Sequence, residues 1–133
     1  MRTTALVLAF ALGFAAPAAT QDAPIQETIR SQIDAFLADD FARAFSYASP
    51  TIRGLFGTPE TFGAMVMQGY PMVHRPAEVE MLELREVAGN LWQQVRVVDE
   101  QGRAHLLNYM MVETPEGWKI NGVQLLPAPD AGV

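Results

Sequence analysis

AHLLNYMMVETPEGWKINGVQLL, residues 104–126, decides the fold. Two runs rich in large apolar and aromatic side chains flank Pro115-Glu116-Gly117. Short apolar runs bounded by turn residues read as strands with apolar groups on both faces. Proline presets a turn's first central position and glycine accepts a left-handed one, so the two runs form a β-hairpin. A type I turn closed by a left-handed Gly117 pairs Thr114 with Trp118 and, counting back, Asn108 with Gln124.

Working outward toward the N-terminus, the strand pattern holds from residue 77, giving strands at 77–87, 91–98, 104–113 and 118–126. Ala88-Gly89-Asn90, Asp99-Glu100-Gln101-Gly102 and Thr114-Pro115-Glu116-Gly117 separate them, and connections this short make an antiparallel meander. In the first strand Val79 and Met81 share one face while Leu82 and Leu84 share the other, so a bulge near Met81-Leu82 is expected. For the hairpin before the last, a four-residue loop sets Gln93 opposite Asn108 and a three-residue loop sets Gln94 there.

Upstream the period changes. Ile25, Ile29, Ile33, Phe36, Leu37, Phe41, Ala44, Phe45 and Ala48 recur mostly at three- and four-residue steps, the mark of a helical stripe. Asp39-Asp40 offers a carboxylate cap that divides it into helices at 25–38 and 40–48, with Phe36, Phe41 and Phe45 in the core. Ser49-Pro50 and Thr58-Pro59 each put a capping side chain before a proline suited to the first helical position. Two short helices follow, at 50–56 and 59–68, closed by left-handed Gly57 and Gly69. Tyr70 to Pro76 carries two prolines and reads as an extended crossing between helices and sheet.

At the start of the chain, Arg2 precedes an uncharged apolar run from Ala5 to Ala16, and Ala16-Pro17-Ala18 has the small-x-small pattern of a cleavage site. Residues 1–20 read as a signal peptide and 21–133 as a single domain, with a flexible tail from about residue 127. The apolar run is shorter than the roughly 20 residues a membrane helix needs. The chain has no cysteine, so it forms no disulfide and cannot be lipidated at the cleavage point. Nine Lys and Arg stand against fifteen Asp and Glu, a formal net charge of −6. That surface repels phosphate backbones and anionic lipids, so no nucleic acid and no membrane is expected as a partner after signal removal.

Ala35-Phe36-Leu37-Ala38-Asp39-Asp40-Phe41, Ala48-Ser49-Pro50-Thr51-Ile52-Arg53-Gly54, Phe56-Gly57-Thr58-Pro59, Gly69-Tyr70-Pro71-Met72-Val73 and Glu113-Thr114-Pro115-Glu116-Gly117-Trp118 together carry a resemblance. The chain resembles an exported bacterial family known as domain of unknown function 4864, within the NTF2-like (nuclear transport factor 2-like, cystatin-like) superfamily. That resemblance implies an α+β fold, an NTF2-like cone of N-terminal helices packed on a curved four-stranded antiparallel sheet. It implies no activity and transfers no functional residue.

The candidate ligand-binding residues are Asn108, Gln124, Gln93, Tyr70 and His74. In either register a row of three amides results, and amides can fix a polar small molecule without charge. Ile120, Trp118, Leu106 and Met110 are expected on the same face. The amides can equally satisfy one another on a solvated face, and a one-residue slip exchanges the two faces. His74 beside Arg75 is placed at the cone mouth, where it can act as a base or remain a plain loop residue. His105 reads as a strand-face residue bonded locally. Asp39 and Asp40 either cap a helix or supply a proton-shuttling carboxylate, with Tyr70 or Tyr109 polarising a carbonyl.

No catalytic residue, metal site or cofactor is assigned, and the nucleophile elbow, phosphate loop, dinucleotide fingerprint and zinc-protease motifs are absent from the sequence. The reading is an exported, soluble, non-catalytic small-molecule or protein-binding module, periplasmic or secreted. The alternatives are a cofactor-independent isomerase or lyase working by proton transfer, and a structural or dimerisation module without a ligand. Large apolar groups on both sheet faces point to a homodimer through the outer one.

Overall fold

A computed structural model describes residues 17–127; the expected signal up to residue 16 and the tail from residue 128 lie outside the described residues. Helix α1 spans Pro17–Leu37 with Pro24 inside it, so it starts well before the expected residue 25. The stretch before Pro24 is rich in alanine, the strongest helix former, and opens on a proline, which suits a first helical position. Ile25, Ile29, Ile33 and Phe36 form its buried stripe.

Helix α2 spans Phe41–Ser46, and the Asp40 carboxylate caps it by accepting from the Arg43 N–H at 3.1 Å. Its neighbour Asp39 does not cap. It sits at φ 55° with its carboxylate turned away toward His74 and Arg75. Helices α3 (Pro50–Phe56) and α4 (Pro59–Gly69) begin as the sequence dictates, with Ser49 accepting from the Ile52 N–H and Thr58 from the Thr61 N–H. Gly57 closes α3 at φ 83°, whereas α4 ends on Tyr70 at φ −137° and Gly69 needs no left-handed turn.

The expected extended bridge is instead a one-turn helix, α5, at Pro71–His74. Proline restricts the residue before it more than the residues after it. Tyr70 and Arg75, each preceding a proline, leave the helical region at φ −137° and −136°, and Pro71 opens the turn between them.

Strands β1 (Pro76–Val87), β2 (Asn90–Asp99), β3 (Ala104–Thr114) and β4 (Gly117–Leu126) form one antiparallel sheet in the order β1-β2-β3-β4. The fold is α+β, helices followed by a four-stranded meander. The β1 bulge lies where the alternation slips, between Met81 and Leu84. At β2 and β3 Gln94 faces Asn108, the three-residue-loop alternative. Asp99 fixes that loop, its Oδ1 accepting from the Gln101 and Arg103 N–H groups, both at 2.9 Å.

At the last hairpin Thr114 pairs with Gly117, one residue tighter than expected. The Thr114 hydroxyl drives this by accepting from the Glu116 N–H at 3.1 Å and donating to Gly117 O at 2.8 Å. The register then shifts between Met110 and Met111, skipping Asn121, and Asn108 faces Gln124 as read from the sequence.

Gln93, Val95, Val97, Leu107, Tyr109 and Met111 are buried on the inner face with α1, α2, α4 and α5. Gln94, Asn108 and Gln124 therefore belong to the outer face. Skipping Asn121 sends Ile120 and Trp118 to the core side, so they do not share a face with the amides, Leu106 and Met110. The segment between α2 and α3 covers the free edge of β4, with Ile120 N–H donating to Tyr47 O at 2.9 Å and Ser49 N–H to Ile120 O at 2.8 Å. Such cover removes an open strand edge.

Candidate functional site

Between helices and sheet lies a cavity of about 250 Å³. Phe36 from α1, Phe62 and Val66 from α4, and Ile120 and Val123 from β4 give it apolar walls. Helix α3 closes one side through Ile52, Leu55 and Phe56, yet none of its residues is buried and Leu55 is 71% exposed. The roof of the cavity is thus its least anchored wall.

Three polar side chains reach the lining: Gln32, Tyr70 and Tyr109. Gln32 Nε2 donates to Ala44 O at 3.1 Å, and Tyr70 Oη donates to Val123 O at 3.1 Å. Tyr109 is fully buried, and its hydroxyl has no hydrogen-bond partner among the described residues. Burial, reinforced by neighbouring Tyr70, pushes the Tyr109 phenol well above its ordinary 10.0, so it stays protonated and acts as a donor. An unpaired buried hydroxyl costs about 1–3 kcal/mol; Arg53 Nε and Gln93 Oε1 are likewise buried without a partner among the described residues, but neither residue lines the cavity.

Of the residues singled out from sequence, Tyr70 lines the cavity, as does Tyr109, the other tyrosine read as able to polarise a carbonyl. Gln93 is fully buried but does not line it. Its Nε2 donates to Leu82 O at 2.9 Å and to Gln94 O at 3.0 Å, backbone carbonyls of two residues that the β1–β2 register skips at the bulge. Asn108 and Gln124 face away from the cavity, and Asn108 borders an outer recess with Trp92, Gln94 and Leu126.

His74 also lies away from the cavity. Its ring stacks on Phe41 at 5.9 Å, and its Nε2–H donates to Asp39 Oδ1 at 2.8 Å. Arg75 donates to both oxygens of Asp39, at 3.0 and 2.9 Å. The hydrogen bond from His74, then that from Arg75, holds the Asp39 carboxyl below the usual carboxylate range. His105 is bonded locally, as read, its Nε2–H donating to Asp99 Oδ2 at 2.9 Å. That bond, helped by Arg103, drives the Asp99 carboxyl far below its ordinary value despite the opposing effect of burial.

Gln32 was legible in principle. It falls three residues after Ile29 and seven after Ile25, so a polar side chain sits on the apolar stripe. Tyr109 alternates with Leu107 and Met111 and shares their buried face. Among the described residues no group of three or more acidic or histidine side chains is arranged to hold a metal, and no helix is long and apolar enough to cross a membrane.

Short helices laid on one face of a four-stranded antiparallel meander, closing over an apolar cavity, define an α+β domain with an internal pocket. Residues 18–133 match the family described as Domain of unknown function (DUF4864), and the chain belongs to that family. Comparison with curated proteins and with solved structures returned no match.

Proposed function

We propose that the protein is a non-catalytic binding module that holds a small molecule in the cavity between its helices and its sheet. The observation that carries this reading is the lining: among the described residues it has apolar walls, no charged or imidazole side chain, and Tyr109, whose buried hydroxyl has no partner. Proton-transfer chemistry needs a carboxylate or imidazole facing the substrate, with a donor across from it. Here the donor is present and the base is missing from the walls; Asp39 lies outside the lining with its side chain 54% exposed. This favours binding over an isomerase or lyase. An open cavity likewise favours a ligand over a purely structural role.

We read the domain as an NTF2-like cone, supported by the order of helices then bulged sheet, and the protein as exported to the periplasm or beyond, supported by the apolar run before Ala16-Pro17-Ala18. The position of Pro24 adds support. Cleavage near residue 20 leaves Pro24 in the first turn of the mature helix, where four N–H groups lack intrahelical partners and a missing one costs nothing.

Native mass spectrometry of the protein purified from its own compartment tests the binding reading. The expected result is a protein peak shifted by the mass of one retained small molecule. A protein that carries nothing and shows no saturable binding to compact apolar compounds overturns it.

The outer sheet face favours a further reading. Leu106, Met110, Val112 and Leu126 remain partly exposed there, with Trp92, on the side away from the helices. Two copies joined through this face would cover that apolar surface.

A further inference from the structure

Resting on the reading of the cavity as a ligand site, the geometry points to one class of ligand: an uncharged, compact and largely apolar molecule with a hydrogen-bond acceptor, such as a ketone or aldehyde oxygen, that takes the Tyr109 hydroxyl proton in a hydrogen bond.

Three observations converge on that class. The first is charge. Among the described residues the lining contains no Asp, Glu, His, Lys or Arg, so an ionic ligand would lose its hydration without gaining a counter-charge. The second is the donor inventory. Tyr70 Oη already donates to Val123 O and Gln32 Nε2 spends one of its two N–H groups on Ala44 O, which leaves the Tyr109 O–H as the lining donor with no bond at all among the described residues. A ligand that only donates would leave that O–H unpaired, whereas an acceptor oxygen satisfies it. The phenol also remains a donor at every working pH, because burial raises its pKa.

Size is the third. An apolar cavity of roughly 150 Å³ holds a benzene molecule. About 250 Å³ walled by Phe36, Phe56 and Phe62 suits one ring with a short substituent and is too small for molecules of three or more fused rings. Rings fit such walls because aromatic pairs stack offset or edge to face.

Isothermal titration with three ring compounds of near-equal shape tests the assignment: acetophenone, ethylbenzene and benzoate. Acetophenone is expected to saturate a single site, ethylbenzene to bind about five- to tenfold more weakly, as the loss of one net hydrogen bond dictates, and benzoate not to bind measurably. In Tyr109→Phe the gap between acetophenone and ethylbenzene closes while ethylbenzene keeps its wild-type affinity, which also reports that the variant is folded. In Val66→Trp, where the indole fills the cavity, all three lose binding.

Equal binding of acetophenone and ethylbenzene to the wild type, or preference for benzoate, overturns the ligand class and leaves the cavity reading standing. Failure of all three, and of benzene and indole as smaller and fused probes, overturns the cavity reading and the ligand class with it. So does binding that Val66→Trp leaves untouched in a variant with native circular dichroism.

Discussion

Ser49 Oγ donates to Asn121 Oδ1 at 2.7 Å, joining the N-cap of α3 to the residue of β4 that the β3 ladder skips. The same hydroxyl oxygen accepts from the Ile52 N–H at 3.1 Å, and the Ser49 N–H donates to Ile120 O at 2.8 Å. One buried serine therefore starts the cavity roof and ties it to the sheet beneath.

Removing that tie has two parts. Ser49→Ala loses a helix cap and a buried side-chain bond, and is expected to lower unfolding stability by about 1–3 kcal/mol. Asn121→Ala loses the bond alone, about 1 kcal/mol. In urea denaturation the double variant should fall short of the sum, because both changes delete the same contact. Strict additivity would show that the bond contributes nothing.

Asn121 also shows how a sequence register can succeed through compensating errors. Gly117 has the expected positive φ, 109°, but the hairpin is one residue tighter than the expected three-residue loop, because the Thr114 side chain organises it. Skipping Asn121 restores the offset, so Asn108 still meets Gln124. The helix starts at Ser49-Pro50 and Thr58-Pro59 were legible because capping is local chemistry. The faces of the sheet were not, since a single skipped residue inverts every side chain beyond it. The cavity was not legible either, as it depends on how α3, α4 and β4 pack rather than on any spacing along the chain.

Gly63 marks a close approach of α4 to Phe41 of α2. A Cβ there would lie 2.6 Å from the Phe41 ring, itself held against Phe36 and His74. Alanine in a helix interior ordinarily stabilises by roughly 0.5–1 kcal/mol over glycine, but overpacking costs about 1–3 kcal/mol. Gly63→Ala is therefore expected to destabilise by about 1 kcal/mol in chemical denaturation. In a Phe41→Leu background the same change should become neutral or stabilising.

Acid should weaken the fold through two carboxylates. Asp39 and Asp99 both hold their protons less tightly when folded than at their ordinary 3.8. As pH falls through that value the unfolded chain takes up protons that the folded one refuses, so stability present above about pH 4 is lost progressively below it. Melting temperatures recorded from about pH 6 to about pH 2 should fall steeply for the wild type and less steeply for Asp99→Asn. An unchanged slope in that variant would show that the His105 and Arg103 bonds do not set the acid limit.

The outer sheet face predicts association. Light scattering is expected to give the mass of a dimer, and Met110→Glu, at the middle of β3, to give a folded monomer, because a carboxylate cannot be buried unpaired at an apolar interface. A monomeric wild type at micromolar concentration would remove the dimer reading.

Tyr109→Phe separates function from stability in a single substitution. The hydroxyl is fully buried and has no partner among the described residues, so it contributes a desolvation cost and no bond. Replacing it with hydrogen keeps the ring and its packing against the core. The variant should therefore be more stable than the wild type, by about 1 kcal/mol in urea or a few degrees in melting temperature, while losing preference for ligands with an acceptor oxygen. A destabilised Tyr109→Phe would mean that the hydroxyl already has a partner in the folded protein, and the donor assigned to the cavity would no longer be free.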